Sequence, residues 1–386
     1  MGSRIVHAAG LAAIAALVAI GCTDPPNPID PPERDLLTVS DGDLSATGGV
    51  LGAATNAQGD EVVFSTTSEI VDDEDPGSGT FVRDGVGEVK RISSDIGSML
   101  WMSADGRWVT WTVQDPHLPG NSLIKVHDRS DDSTVEIARR YGTSVPAVVS
   151  ETPEPTVVFG VFSTPEESYA LCEVVVLATL ESSPCPLPDM GPDATAGGIG
   201  AISSDGTQVV QRSLLPAGGA VAVANHVWDR ETDQILTVFT QRYGYGTGIS
   251  DDGRYLFGFD DLGPFMADLF PGAGGELRPD LGGSTPSTAG ASSFVVATSP
   301  DGGFATVAGP AGADGSRPLH QWDLRASTPA GFGVTHPLGN AGAVGTSPVC
   351  STGGFLTSDG GTCTLQMDGF DSIDANDSID AYLTRP

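Results

Sequence analysis

Near-copies of one tight turn recur along this chain, and their spacing constrains the fold more than any other feature. The turn is Ser-x-Asp-Gly at Ser103, Ser203, Ser250 and Ser299, with Ser358-Asp359-Gly360 ending a further copy. Weaker forms are Asn56-Ala-Gln-Gly59 and Thr152-Pro-Glu-Pro155. The closing positions, 59, 106, 155, 206, 253, 302 and 360, recur at intervals of 47 to 58 residues. A period of that length marks a supersecondary unit stacked many times. Glycine supplies the positive φ that a tight strand-to-strand turn needs. The Ser and Asp before it can accept hydrogen bonds from the turn's own amides. A calcium or phosphate loop would need neither seven copies nor a steady period. The turn is scaffold.

Each unit carries a second hairpin further along, clearest in "LIKVHDRSDDSTVEI" (123–137) and "HVWDRETDQILTVF" (226–239). The unit is therefore strand, Ser-x-Asp-Gly turn, strand, loop, strand, Asp-led turn, strand. Four short antiparallel strands repeated seven times predict an all-β chain, a seven-bladed β-propeller of four-stranded blades. The high glycine and proline content, 51 and 28 residues, agrees with many turns and few long helices. The last unit ends at "DAYLTRP" after three strands. The segment 36–40 is expected to supply the fourth, pairing with the stretch that ends at Leu383 and removing an exposed edge.

Ser299-Pro-Asp-Gly302 and the Trp-Asp pairs at Trp228-Asp229 and Trp322-Asp323 resemble the TolB-like, WD-repeat-like propeller family. The resemblance covers nearly all of the chain after residue 36 and implies architecture more than activity. TolB-like proteins carry an α/β domain before the propeller, whereas a short Pro-rich stretch stands there in this chain.

The N-terminal residues have the pattern of a processing signal. Arg4 precedes the apolar run from Ala8 to Gly21, which is short for a bilayer span, and Cys22 follows. This resembles a bacterial lipoprotein signal, which implies removal of residues 1–21 and acylation of Cys22. Residues 22–35 are then a Pro-rich tether and residues 36–386 the propeller. The expected location is the bacterial cell envelope, with the membrane as a partner through the lipid anchor. Four cysteines remain, and an oxidising compartment permits both disulfides. Cys172 and Cys185 are symmetric about a hairpin turn placed between Ala178 and Thr179, so they face one another across antiparallel strands. Cys350 and Cys363 form the second candidate pair, for which Cys350 must fold back from the preceding loop.

The net charge of -32 opposes nucleic acid and anionic lipid headgroups as ligands. His-Glu-x-x-His, Gly-x-Ser-x-Gly, phosphate-loop and dinucleotide motifs are absent from the sequence. Ser122-x-x-Lys125 falls on a strand, where i and i+3 point to opposite faces, so it is not a penicillin-type nucleophile pair. His226 and His320 hold equivalent places in different units and are expected to be structural. Asp374, Asn376, Ser378 and Asp380 alternate like a calcium loop but lack its glycine and distal glutamate, so no metal and no cofactor is expected. The function-like features are loops. Arg140-Tyr141 and Arg242-Tyr243 recur at matching points, and Asp72 and Asp73 lie in an acidic loop on the same expected face. Exposed Arg and Tyr anchor interfaces. These features lead to the expectation of a monomeric, non-catalytic scaffold that binds an envelope protein or another ligand. The alternative is a propeller hydrolase or lyase with its site at the central channel.

Overall fold

The structure is a computed structural model that describes residues 33–36, 50–70, 77–151, 154–162, 170–191, 193–217, 220–239, 245–260, 263–269, 276–279, 294–309, 317–326, 332–341, 354–355, 362–366 and 380–385. The described residues are strands and turns, without a helix. After β1 (Glu33–Leu36), the first unit is β2 (Val50–Thr55), β3 (Val62–Ile70), β4 (Gly77–Arg83) and β5 (Val89–Ser93). The second is β6 (Ser98–Met102), β7 (Trp108–Gln114), β8 (Ser122–Asp128) and β9 (Ser133–Arg140). The third is β10 (Gly142–Ser150), β11 (Thr156–Phe162), β12 (Leu171–Val176) and β13 (Ser182–Pro184). The fourth is β14 (Thr195–Ile202), β15 (Gln208–Ala217), β16 (Ala220–Asp229) and β17 (Gln234–Phe239). Each of these is an antiparallel four-stranded sheet in chain order.

The fifth unit, β18 (Tyr245–Ile249), β19 (Tyr255–Asp260), β20 (Gly263–Asp268) and β21 (Glu276–Pro279), is continuous with the sixth. The sixth comprises β22 (Phe294–Thr298), β23 (Phe304–Ala308), β24 (Arg317–Asp323) and β25 (Phe332–Ala341). A parallel pairing of β21 with β25 joins them, and β26 (Gly354–Phe355) runs parallel to β22. The last sheet is β27 (Thr362–Gln366), β28 (Asp380–Arg385) and the N-terminal strand β1, which is antiparallel to β28. The register sets Glu33 opposite Arg385 and Leu36 opposite Tyr382. The paired residues are thus 33–36, earlier than the expected 36–40, because β28 runs on past Leu383 to Arg385 and draws the partner register back with it. Residues 37–40 lie outside the described residues.

The first strands of successive units lie side by side: β2 by β6, β6 by β10, β10 by β14, β14 by β18 and β18 by β22. This stacking explains the burial pattern. A second strand such as β7 is covered on both faces by neighbouring units and is buried from Trp108 to Val113. The fourth strand β9 is open to solvent over much of its length and correspondingly polar. Trp101, Trp111, Phe159, Phe257 and Trp322 are among the large side chains buried this way. Each contributes on the order of 2–3 kcal/mol by burial.

The recurrent turn behaves as scaffold. In the second unit Ser103 Oγ donates to Asp105 Oδ1 (2.6 Å) and accepts the Trp108 amide (2.9 Å). Asp105 Oδ1 also accepts the Arg107 amide (3.0 Å), and Gly106 holds φ at 75°. The same pattern of bonds surrounds Ser203, Ser250 and Ser299. The second hairpin has its own device. Asp128, Asp229 and Asp323 each accept the amide two residues on, which turns the chain.

Arginines latch neighbouring units. Arg129 donates to Gly106 O in its own unit (2.6 Å) and to Glu61 in the first (2.8 Å). Arg230 repeats this with Gly206 O (2.6 Å) and Thr156 Oγ1 of the third unit (2.5 Å). Arg107 forks onto Asp128 at 3.0 and 2.7 Å, which holds that carboxyl down at a pKa of about 2.

Candidate functional site

The first strands form one continuous row from unit to unit. Through β2, β6, β10, β14, β18, β22 and β26 there is not one Asp, Glu, Lys, Arg or His. Arg212 of β15 nevertheless brings a guanidinium onto them, donating to Ile199 O of β14 (2.7 Å) and lying over the Tyr245 ring of β18. Glycine lets these strands approach closely. A Cβ at Gly200 would lie 2.4 Å from Gly246 O of the next unit, so only glycine fits there. Leu51, 55% exposed, is the exposed large apolar side chain on these strands among the described residues.

The expected loop residues divide. Arg140 forks onto Glu173 of the third unit at 3.1 and 2.5 Å and donates to Arg139 O (2.9 Å), so it pins a seam between units. Tyr141 is exposed and packs beside Gly120. The loop beneath it is held by the fully buried carboxylate of Asp115, which accepts the His117 and Leu118 amides and lies 3.0 Å from Arg139 Nε. Leu118 and Tyr141 are therefore presented on an ordered loop. Arg242, Tyr243, Asp72, Asp73, Cys22 and Cys350 lie outside the described residues, as do Asp374, Asn376 and Ser378; Asp380 opens β28. Cys363 lies in β27, opposite Leu383.

Cys172 and Cys185 are joined in a disulfide with Cα atoms 5.3 Å apart. Glu173 pairs with Pro184 and Val175 with Ser182, which is the register expected from the sequence. The Cys185 amide also donates to Cys172 O.

Among the described residues a serine and a histidine meet in the fourth unit. His226 Nε2 is 2.8 Å from Ser213 Oγ, and Nδ1 is 3.0 Å from Thr237 Oγ1. Both His226 and Ser213 are buried, and burial pulls the imidazole pKa below its ordinary value. Among the described residues neither ring nitrogen bonds a carboxylate, and this buried pair with Thr237 ties β15, β16 and β17 together. His320, also lowered by burial, sits at the matching place of the sixth unit. Among the described residues no group of His, Cys, Asp or Glu is arranged to hold a metal.

One group that the sequence reasoning missed is Asp251. Its carboxylate accepts both the amide (2.8 Å) and the hydroxyl (2.7 Å) of Ser204 in the preceding unit. Its own amide donates to Pro300 O in the following unit. Burial, reinforced by the nearby Asp205 charge, raises its pKa to about 7. The signal was present as the doubled aspartate of Ser250-Asp-Asp-Gly253, where the other turns carry an uncharged second residue.

No protein-family model and no curated protein matches the sequence. Solved structures do. The β-propeller domain of the trilobed protease from Pyrococcus furiosus is 13% identical, covers 83% of this chain and 90% of its own, and superposes with a TM-score of 0.52. The acylaminoacyl peptidase of Pyrococcus horikoshii is 11% identical over 87% of this chain and 50% of its own, with a TM-score of 0.51. TolB from Acinetobacter baumannii is 15% identical over 75% and 63% of the two chains, with a TM-score of 0.40. The fold is therefore a β-propeller. This chain spans half of the acylaminoacyl peptidase chain. The expectation of a non-catalytic scaffold is corrected by these matches, since those with the higher scores are propellers of peptidases.

Proposed function

We propose that this chain is a hydrolase-type propeller that handles peptide substrates at its axis. The observation that carries the reading is the lack of any acidic residue in the first strands of a chain of net charge -32. An extended peptide is a neutral array of dipoles bearing side chains of either sign. First strands without carboxylates do not trap basic peptides as an acidic channel would, and the Arg212 guanidinium laid across β14 and β18 adds a positive group. The peptidase propellers of similar fold support the same direction. In this reading the reacting groups come from outside the described residues, because the only Ser–His pair among them is sealed in the fourth unit.

The proposed ring has seven blades, with β1 as the outer strand of the last. The contacts of β2 with β26, β27 and β28 support that closure. A TolB-like lipoprotein form, anchored to the bacterial envelope through Cys22, belongs to the same proposal. It rests on the apolar run before that cysteine and the Pro-rich stretch after it.

The function is tested with fluorogenic peptides given to the full-length protein in its native membranes. Leu51→Arg places a charge on the first strands without disturbing a buried contact. It should lower kcat/KM for peptides about tenfold while leaving the melting temperature unchanged. Membranes that cleave no peptide faster than those from a deletion strain would refute the reading. The anchor is tested separately by metabolic labelling with a fatty acid. Label should enter the wild type and not Cys22→Ser, and an unlabelled wild type would remove the anchor.

A further inference from the structure

The outer seam between the first two units holds a cleft of about 230 Å³, away from the axis. The first unit supplies Asp84, Glu88 and Lys90, and the second supplies His127, Arg129 and Asp132. The two signs nearly balance. Lys90 Nζ lies 2.7 Å from Asp132 Oδ1, with both side chains largely exposed. Arg129 is tied to Glu61 and Gly106 O, so it contributes its field and not an open hydrogen-bonding edge. Asp84 Oδ1 accepts the amides of Val86 and Glu88, which fixes the turn bearing Glu88. The Glu88 side chain itself is exposed and makes no ion pair among the described residues.

His127 forms the floor. Its side chain is 3% exposed, and Nδ1 bonds Thr134 Oγ1 at 2.9 Å. Nε2 is 3.7 Å from Oδ1 of Asp132, a neighbouring wall residue of the cleft, too far for a hydrogen bond. Val82 and Ile92 add apolar wall.

We propose that this cleft binds a small zwitterion, an α-amino acid with an aliphatic side chain. Its carboxylate is taken by Lys90 and His127 Nε2, and its ammonium by Glu88 and Asp84. A ligand of one sign would meet like charges on part of the lining, whereas a zwitterion finds a partner for each end. The volume is below the usual range for larger small-molecule ligands, about 300–1,000 Å³, and suits an amino acid. A metal is not favoured, since the described carboxylates and imidazole do not converge on one point. The site is distinct from the axis and stands whether or not peptides are cleaved there.

The test is a titration of leucine into protein carrying ¹⁵N-histidine, followed through the His127 ring resonances. Those resonances should shift and saturate in the millimolar range. N-acetyl-leucine and leucine methyl ester, each lacking one charge, should bind about tenfold more weakly. Glu88→Gln and Lys90→Gln alter exposed side chains and should each weaken leucine by a similar factor. Resonances unmoved at tens of millimolar leucine would overturn the proposal. So would N-acetyl-leucine or the ester binding as tightly as leucine, or both variants binding unchanged.

Discussion

Reducing the Cys172–Cys185 bond should lower the unfolding free energy by about 2–3 kcal/mol, on the chain-entropy cost of a loop this short. The third unit depends on this crosslink more than its neighbours would. Its outer strand β13 has only three residues, all exposed, and pairs with β12 through Glu173, Val174 and Val175 alone. Its leading turn, Thr-Pro-Glu-Pro, has lost the glycine and the Ser–Asp pair that fix the turn elsewhere. The two sulfurs sit in the largest apolar cluster, beside Phe159 and Val175. Replacing both cysteines with alanine therefore adds a packing loss to the lost crosslink, and the cost should exceed that of reduction by about 1 kcal/mol or more. Denaturant midpoints of oxidised, reduced and doubly substituted protein separate the two contributions. Hydrogen exchange should show β12 and β13 opening first on reduction. Equal midpoints for the oxidised and reduced forms would mean that the crosslink restrains nothing in the unfolded chain.

The register of that hairpin was legible in the sequence because two constraints agreed. The turn position came from alignment with "VHDRSDD", and the cysteine spacing then set the pairs. The repeat was legible for a related reason: a turn that needs positive φ and two short acceptors leaves few residue choices, so its copies stay recognisable. The seams were harder to read. Arg129 and Arg230 each follow the Asp of the second hairpin, but the sequence does not say that they reach Glu61 and Thr156 in another unit. Arg140 shows the converse failure. Its repeat position suggested an exposed anchor, and the structure gives its guanidinium to Glu173. Long cations settle wherever a carboxylate comes within reach, and that depends on how units stack, which strand periodicity does not encode. The cleft at the first seam escaped for the same reason, since its five charged groups and its imidazole come from two units.

Asp251 should make the protein less stable as pH rises through neutrality. Its folded pKa of about 7 lies far above that of an unfolded aspartate, near 4. Between those values the native state holds a proton that the unfolded state has released. Stability from this group is therefore fully present at acid pH and is lost as pH rises, at up to ~1.4 kcal/mol per pH unit, until the carboxylate is ionised in both states. His127, His226 and His320 work in the opposite direction. Their pKa values are lowered by burial, so they add stability with rising pH until about pH 7.5, a unit above the ordinary value of about 6.5, where unfolded histidine has lost most of its proton. Asp128, held at about 2, is fully ionised in both states above about pH 5 and adds no slope there. The Asp251 slope runs from about pH 4 to about 7, where the histidines oppose it, so it is read as the difference between the wild type and a variant without the carboxylate. Asp251→Asn keeps an oxygen for the Ser204 amide and removes the charge. At pH 8 the variant should be more stable than the wild type, on the order of 1–3 kcal/mol, and the difference should grow from about pH 5 to 7 and level off above that. Unfolding measured by denaturant at intervals from pH 5 to 8 decides the matter. A variant less stable than the wild type at pH 8 would show that the ionised carboxylate, through its bonds to Ser204, outweighs its own desolvation at the joint between the fourth and fifth units.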